Sequence, residues 1–137
     1  MKYIMAAVLA FSILPVQAEL NWEMGLNGPQ RSQQNRARDS SRHPQETLEF
    51  FGLREGMTVL EVAPGGGWYT EVIAPMVSEN GAYYAAHYGM NAPSAYYRAS
   101  LGKYLQKLAA DKDNYGAVIV TQLQPPLEIE AAPAASV

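Results

Sequence analysis

Apolar positions along this chain follow two kinds of pattern, and between Asn21 and Arg42 they thin out almost entirely. Tyr69, Val72, Ile73 and Met76 recur at spacings of three and four, which places them on one face of a helix. Tyr97, Leu101, Tyr104, Leu105 and Leu108 predict a second helix over 96–110, with Arg98, Lys103 and Lys107 expected to face water. Three shorter runs, 57–62, 82–87 and 117–120, each predict a strand, the first buried. Asn80-Gly81 and the pair Asn114 and Gly116 supply the turns. Ahead of the first strand, Pro44 suits the opening turn of a short helix, Glu46 its positive end and Gly52 its stop, with Leu48 and Phe51 packing inward. Strand, helix, strand, helix, strand in that order predicts an α/β fold with a three-stranded, mostly parallel sheet and right-handed crossovers.

The first 18 residues stand apart from this pattern. Lys2 gives a short positive start, the run from Ile4 to Leu14 is broken only by Ser12, and Pro15 ends any helix. Val16-Gln17-Ala18 then puts small or modest residues where a signal peptidase reads, so 1–18 is expected to be a signal peptide cleaved after Ala18. The mature protein is accordingly expected to be exported, periplasmic or secreted. The apolar run is shorter than the roughly 20 residues a bilayer span needs, so no stable membrane span is expected; an uncleaved anchor or a buried N-terminal helix is the alternative. Residues 19–42 form a polar arm containing Arg31, Arg36, Arg38 and Arg42. It reads either as a solvated leader, since so few apolar groups offset ordering poorly, or as an arm that folds over an anionic ligand. At the other end, 125–137 is a Pro/Ala-rich tail.

Charge and composition narrow the partners. Ten Lys and Arg against 13 Asp and Glu give a formal charge of −3, and loss of the leader removes Lys2 and no acid. Nucleic acid is not an expected partner, because phosphate backbones require clustered cations. With no cysteine, disulfides and thiolate metal sites are excluded. His43 lacks ligand-spaced partners, so no metal site is expected either.

The candidate chemistry lies where the first strand meets Ala63-Pro64-Gly65-Gly66-Gly67. A strand ending in an acid and running through glycines into a helix can grip a small anionic or zwitterionic ligand. The glycines admit close backbone approach, and the helix start offers free N–H groups. The stretch 63–68 reads A-x-G-x-x-W, which misses two glycines of the dinucleotide pattern, and no G-K-[ST] follows to make a phosphate loop. Glu61 also reads as an acid capping a turn.

The run 59–67, V-L-E-V-A-P-G-G-G, resembles motif I of class I S-adenosylmethionine-dependent methyltransferases, written h-h-[DE]-h-G-x-G-x-G. Glu61 falls on the acidic position and Gly65 and Gly67 on the second and third glycines, while Ala63 replaces the first. The longer stretch from Thr47 to Pro75, continuing through G-A-Y-Y-A-A-H-Y, is similar to the start of a group of exported, largely uncharacterised predicted methyltransferases. The resemblance implies a Rossmann-like domain over 43–124 and S-adenosylmethionine as cofactor. It implies contacts from Glu61, Ala63, Pro64, Gly65, Gly66, Gly67 and Trp68, with the loop against the methionine part and Glu61 ordering the loop and the cofactor's ammonium. His87 stands where such enzymes place the acid that binds the ribose hydroxyls; it reads equally as a residue that merely ends a strand. No catalytic residue is assigned, and Tyr83, Tyr84 and Tyr88 read as packing residues.

Class I domains carry seven strands, and this sequence stops after three recognisable ones, so a truncated product, a fragment or a partner-completed half-domain is expected. A half-sheet leaves an edge open, which makes self-association through that edge an expected partner mode. The alternative function is a non-catalytic small-ligand-binding or interaction protein. A ribose methyltransferase acting on RNA is a third reading, since Ala63-Pro64-Gly65-Gly66 and Trp68 resemble its A-P-G-G-W loop; here an extra glycine intervenes, and acidity and export weigh against RNA.

Overall fold

The computed structural model describes residues 19–77, 79–124 and 128–129. The expected leader, its cleavage point and most of the 125–137 tail lie outside the described residues. Four short helices come first: α1 (Trp22–Asn27), α2 (Gln33–Arg36), α3 (Asp39–Arg42) and α4 (Pro44–Phe50). They are followed by β1 (Thr58–Val62), α5 (Trp68–Val77), β2 (Ala82–Tyr88), α6 (Ala95–Ala110), α7 (Lys112–Tyr115), β3 (Val118–Gln124) and β4 (Glu128–Ile129). The sheet order is β1-β2-β3-β4. Thr58 to Val62 pair in parallel with Ala82 to Ala86, and Tyr83 to Tyr88 with Val118 to Leu123. The short β4 pairs antiparallel with the end of β3, within the segment read as tail. The result is a mixed α/β unit with three parallel strands and flanking helices, compatible with a Rossmann-like fold.

Strand alternation sorts the sheet into two faces. Val59, Tyr83, Ala85 and Val118 share one and pack with Val72, Ile73 and Val77 of α5 and Tyr104 of α6 to form the core. Two right-handed crossovers advancing in one direction put both helices on that side. Leu60, Val62 and Ile119 point the other way and are 41, 50 and 44 % exposed. The apolar run of β1 predicts a strand buried on both faces; the described helices cover only one. Phe51 also departs from expectation. Leu48 is buried, but α4 ends at Phe50, and Gly52, at φ 74°, turns the chain away. Gly52 N–H donates to Glu49 O and Leu53 N–H to Leu48 O, which closes the helix and leaves Phe51 exposed beside Phe50.

The polar arm is the largest difference from the composition-based reading. Asn21 caps α1 by accepting from Met24 N–H at 3.0 Å. Gly25 faces α5 so closely that a Cβ there would lie 2.5 Å from Met76 Sδ. Gln30 and Arg31 are both buried. Pro75, inside α5, has no N–H to give to Glu71 O. Gln30 Nε2 donates to that carbonyl instead, at 3.1 Å, and to Met24 O at 2.7 Å. The arm thus docks by packing Leu20, Trp22 and Leu26 against the core and by completing the hydrogen bonds of a proline-interrupted helix. Replacing Gln30 with Leu leaves the buried Glu71 carbonyl short of a donor, while Met24 O keeps Gly28 N–H, and is expected to cost about 1–3 kcal/mol, measurable as a lower urea midpoint with an unchanged slope.

Candidate functional site

The glycine loop is held in a conformation that its residues only partly suit. Ala63, Gly65 and Gly67 have φ of 56°, 59° and 77°. Ala63 occupies a left-handed position that favours glycine, at a cost of roughly 1–2 kcal/mol; its N–H continues the strand pairing by donating to Ala86 O at 2.9 Å. At Gly67 a Cβ would also lie 2.9 Å from Tyr104 Cε2, so that position excludes side chains twice over. Around Gly65 and Gly66 a Cβ would meet nothing within 4 Å. These two residues face open space, the arrangement a backbone cradle needs. Glu71 N–H to Gly67 O begins the helical ladder, so the N–H groups of Trp68, Tyr69 and Thr70 precede it.

Glu61 stands below this loop. Its Oε2 accepts from Thr70 Oγ1 at 2.9 Å and from Tyr83 OH, and Thr70 Oγ1 lies 3.0 Å from Tyr104 OH. Oε1 makes no hydrogen bond among the described residues. Burial raises the carboxyl above its usual range, partly offset by the Tyr83 and Thr70 hydrogen bonds and the charge of Lys107. Burial, reinforced by the Glu61 charge, pushes Tyr83 and Tyr104 up as well, which keeps both as neutral donors. Glu61 is therefore more than a turn cap. One oxygen is anchored in a tyrosine and threonine network, and the residue lines a cavity of about 390 Å³ with Ala63, Pro64, Gly65, Gly66 and Trp68. The arm completes that cavity through Asn35, Arg38 and Arg42.

Trp68 ties the arm to the loop. Its Nε1 donates to Asn35 O at 2.9 Å, and the Arg42 guanidinium sits 4.8 Å from its ring centroid. Beneath it, Glu71 is fully buried and accepts from Lys107 Nζ at 2.6 Å and Ser32 N–H at 3.2 Å, with Arg31 Nε at 3.6 Å. Arg31 in turn pairs with Asp39 at 2.6 Å. Lys107, expected in water, donates instead to Gly66 O at 2.8 Å. It fastens the loop to α5 from α6.

His87 occupies a different place from the other sequence-derived site residues. It is 1 % exposed, its Nε2 lies 3.3 Å from Gly65 O and 3.5 Å from Ser100 Oγ, and its ring leans on Tyr104. From there it braces the loop from below and lines none of the described cavities. The exposed surface at the ends of β2 and β3 belongs to Tyr88, which stacks on Tyr97 at 3.9 Å. Both wall a cavity of about 300 Å³ with Gly89, Asn91 and Leu123. Sequence reasoning missed Glu71, Lys107 and Arg31. Glu71 did carry a signal, since it is an acid on the helix face shared by Trp68 and Pro75. Among the described residues no group of His, Asp and Glu is placed to hold a metal ion, and no helix is long and apolar enough to cross a membrane. The chain matches no family model, no curated protein and no solved structure.

Proposed function

We propose that this chain is a Rossmann-like, class I S-adenosylmethionine-dependent methyltransferase that holds its cofactor at the loop from Glu61 to Gly67. The observation that carries the reading is the cradle itself: Gly65 and Gly66 open onto a cavity that also contains a carboxylate with one unpartnered oxygen. A cavity of about 390 Å³ is near the lower end of the roughly 300–1,000 Å³ typical of small-molecule sites, so it suits the methionine half of the cofactor. The aromatic cavity beside Tyr88 and Tyr97 is assigned to the adenosine half. Bound S-adenosylmethionine supplies an electrophilic methyl group on a sulfonium. What the chain contributes is position. Glu61 faces the ammonium, the 65–67 backbone packs along the chain of the amino acid, and Lys107 and His87 keep that backbone in place through Gly66 O and Gly65 O.

Calorimetric titration with S-adenosylmethionine and S-adenosylhomocysteine tests this. Micromolar affinity, about −8 kcal/mol, is expected, and Gly66→Val, which places a branched side chain into the open cradle at a position without a left-handed φ, is expected to abolish it while leaving the fold intact. Absence of binding by the folded wild-type chain would remove the cofactor assignment. A non-catalytic interaction protein is the second reading, favoured by the exposed Leu60, Val62 and Ile119 on the uncovered sheet face.

A further inference from the structure

The four arginines of the arm divide into two pairs. Arg31 is buried against Glu71 and Asp39, and Arg36 donates to Arg31 O and Gly28 O, so both are consumed in holding the arm. Arg38 and Arg42 line the glycine-loop cavity instead, and neither has an acidic partner among the described residues. Arg42 is steadied by the Trp68 ring beneath it. Two unpaired guanidinium groups therefore border the same cavity as the unpartnered oxygen of Glu61. Guanidinium groups pair with carboxylates through forked hydrogen bonds, and a carboxylate oxygen takes an ammonium. This juxtaposition matches a ligand with both groups on one carbon.

We propose that Arg38 and Arg42 form the anion-binding rim of the site and take the carboxylate of an α-amino-acid head whose ammonium faces Glu61. The arm is then part of the binding site and not merely its cover. This inference rests on the cofactor reading above and adds which element of the ligand the arm recognises. It predicts that affinity depends on the carboxylate: a nucleoside thioether lacking the amino-acid head gains nothing from the two arginines.

The test compares S-adenosylhomocysteine with methylthioadenosine, which keeps the nucleoside and loses the head, on the wild-type chain, Arg38→Gln and the double variant Arg38→Gln/Arg42→Gln. Arg38 is exposed and its side chain makes no hydrogen bond, ion pair or ring contact among the described residues, so the single variant is expected to preserve the structure. Loss of one or two charge-assisted hydrogen bonds is expected to weaken S-adenosylhomocysteine by about tenfold to a hundredfold, with methylthioadenosine unchanged in both variants. Equal affinity of variants and wild type for S-adenosylhomocysteine would overturn the rim, as would a parallel loss of both ligands, which marks a structural role. A wild-type chain that binds neither ligand removes the cofactor reading itself and the rim with it.

Discussion

Glu71→Leu is expected to lower the stability of this chain by about 3–5 kcal/mol, the range for breaking one partner out of a buried ion-pair network. The Glu71 side chain is 1 % exposed and is the shared acceptor for Lys107, Ser32 N–H and Arg31. Arg31, whose side chain is fully buried, would be left with Asp39 alone. Lys107 would lose the anchor from which it reaches Gly66 O. Leucine has similar volume, so the loss reports the uncompensated charge and not a cavity. For a folded unit of this size the thermal midpoint should fall by on the order of 10–30 °C. Glu71→Gln keeps one acceptor oxygen, enough for Lys107 or for Ser32 N–H but not both, and should lose less. A midpoint within a few degrees of wild type for Glu71→Leu would contradict the network as described.

Glu61→Gln is expected to do the opposite to stability while damaging binding. Burial holds the Glu61 carboxyl above its ordinary value of 4.5, so the folded chain binds this proton more readily than the unfolded chain. The stability linked to that proton is present below pH 4.5 and is lost as pH rises through the raised folded value. Above that raised value the cost of a buried charge is in place. Glutamine still accepts from Tyr83 and Thr70 and carries no charge. The variant should therefore match wild type near pH 4 and exceed it at pH 7, seen as diverging urea midpoints. Its affinity for a ligand with an ammonium group should drop by about tenfold to a hundredfold, as charge-assisted hydrogen bonds of roughly 1.5–3 kcal/mol imply. A Glu61→Gln chain less stable than wild type at pH 7 but equal to it at pH 4 would reverse the sign and refute this account of the carboxyl.

The parts of the fold written in local pattern were legible. Helical spacing from Tyr69 to Met76 and the glycines after Val62 located α5, β1 and the loop, and the alternation of elements implied the parallel sheet. Glu61, Ala63, Pro64, Gly65, Gly66 and Trp68 border one cavity, while Gly67 packs against Tyr104 and is not part of its lining. What escaped depends on groups distant in the chain. Gln30 and Arg31 look like solvated polar residues until Pro75 frees a carbonyl 41 positions from Gln30 and Glu71 buries a charge beside Arg31. Lys107 sits at a solvent-facing position of its own helix, and only the placement of α6 against the loop brings it to Gly66 O. His87 is the penultimate residue of β2, one short of the strand end that one reading gave it, and its side chain turns beneath Gly65, a direction that strand periodicity does not specify. The exposure of Leu60 and Val62 likewise depends on which sheet face the helices cover.

The central claim is that the loop from Glu61 to Gly67 is a working site for S-adenosylmethionine. Its most direct test is the backbone amide spectrum of the isotopically labelled chain during titration with S-adenosylhomocysteine. The account predicts saturable shifts at Ala63 and Gly65 to Tyr69, with Gly89 and Asn91 following and the amides of α7, Lys112–Tyr115, unmoved. A titration that leaves the loop amides in place, or moves only residues remote from it, would contradict the account.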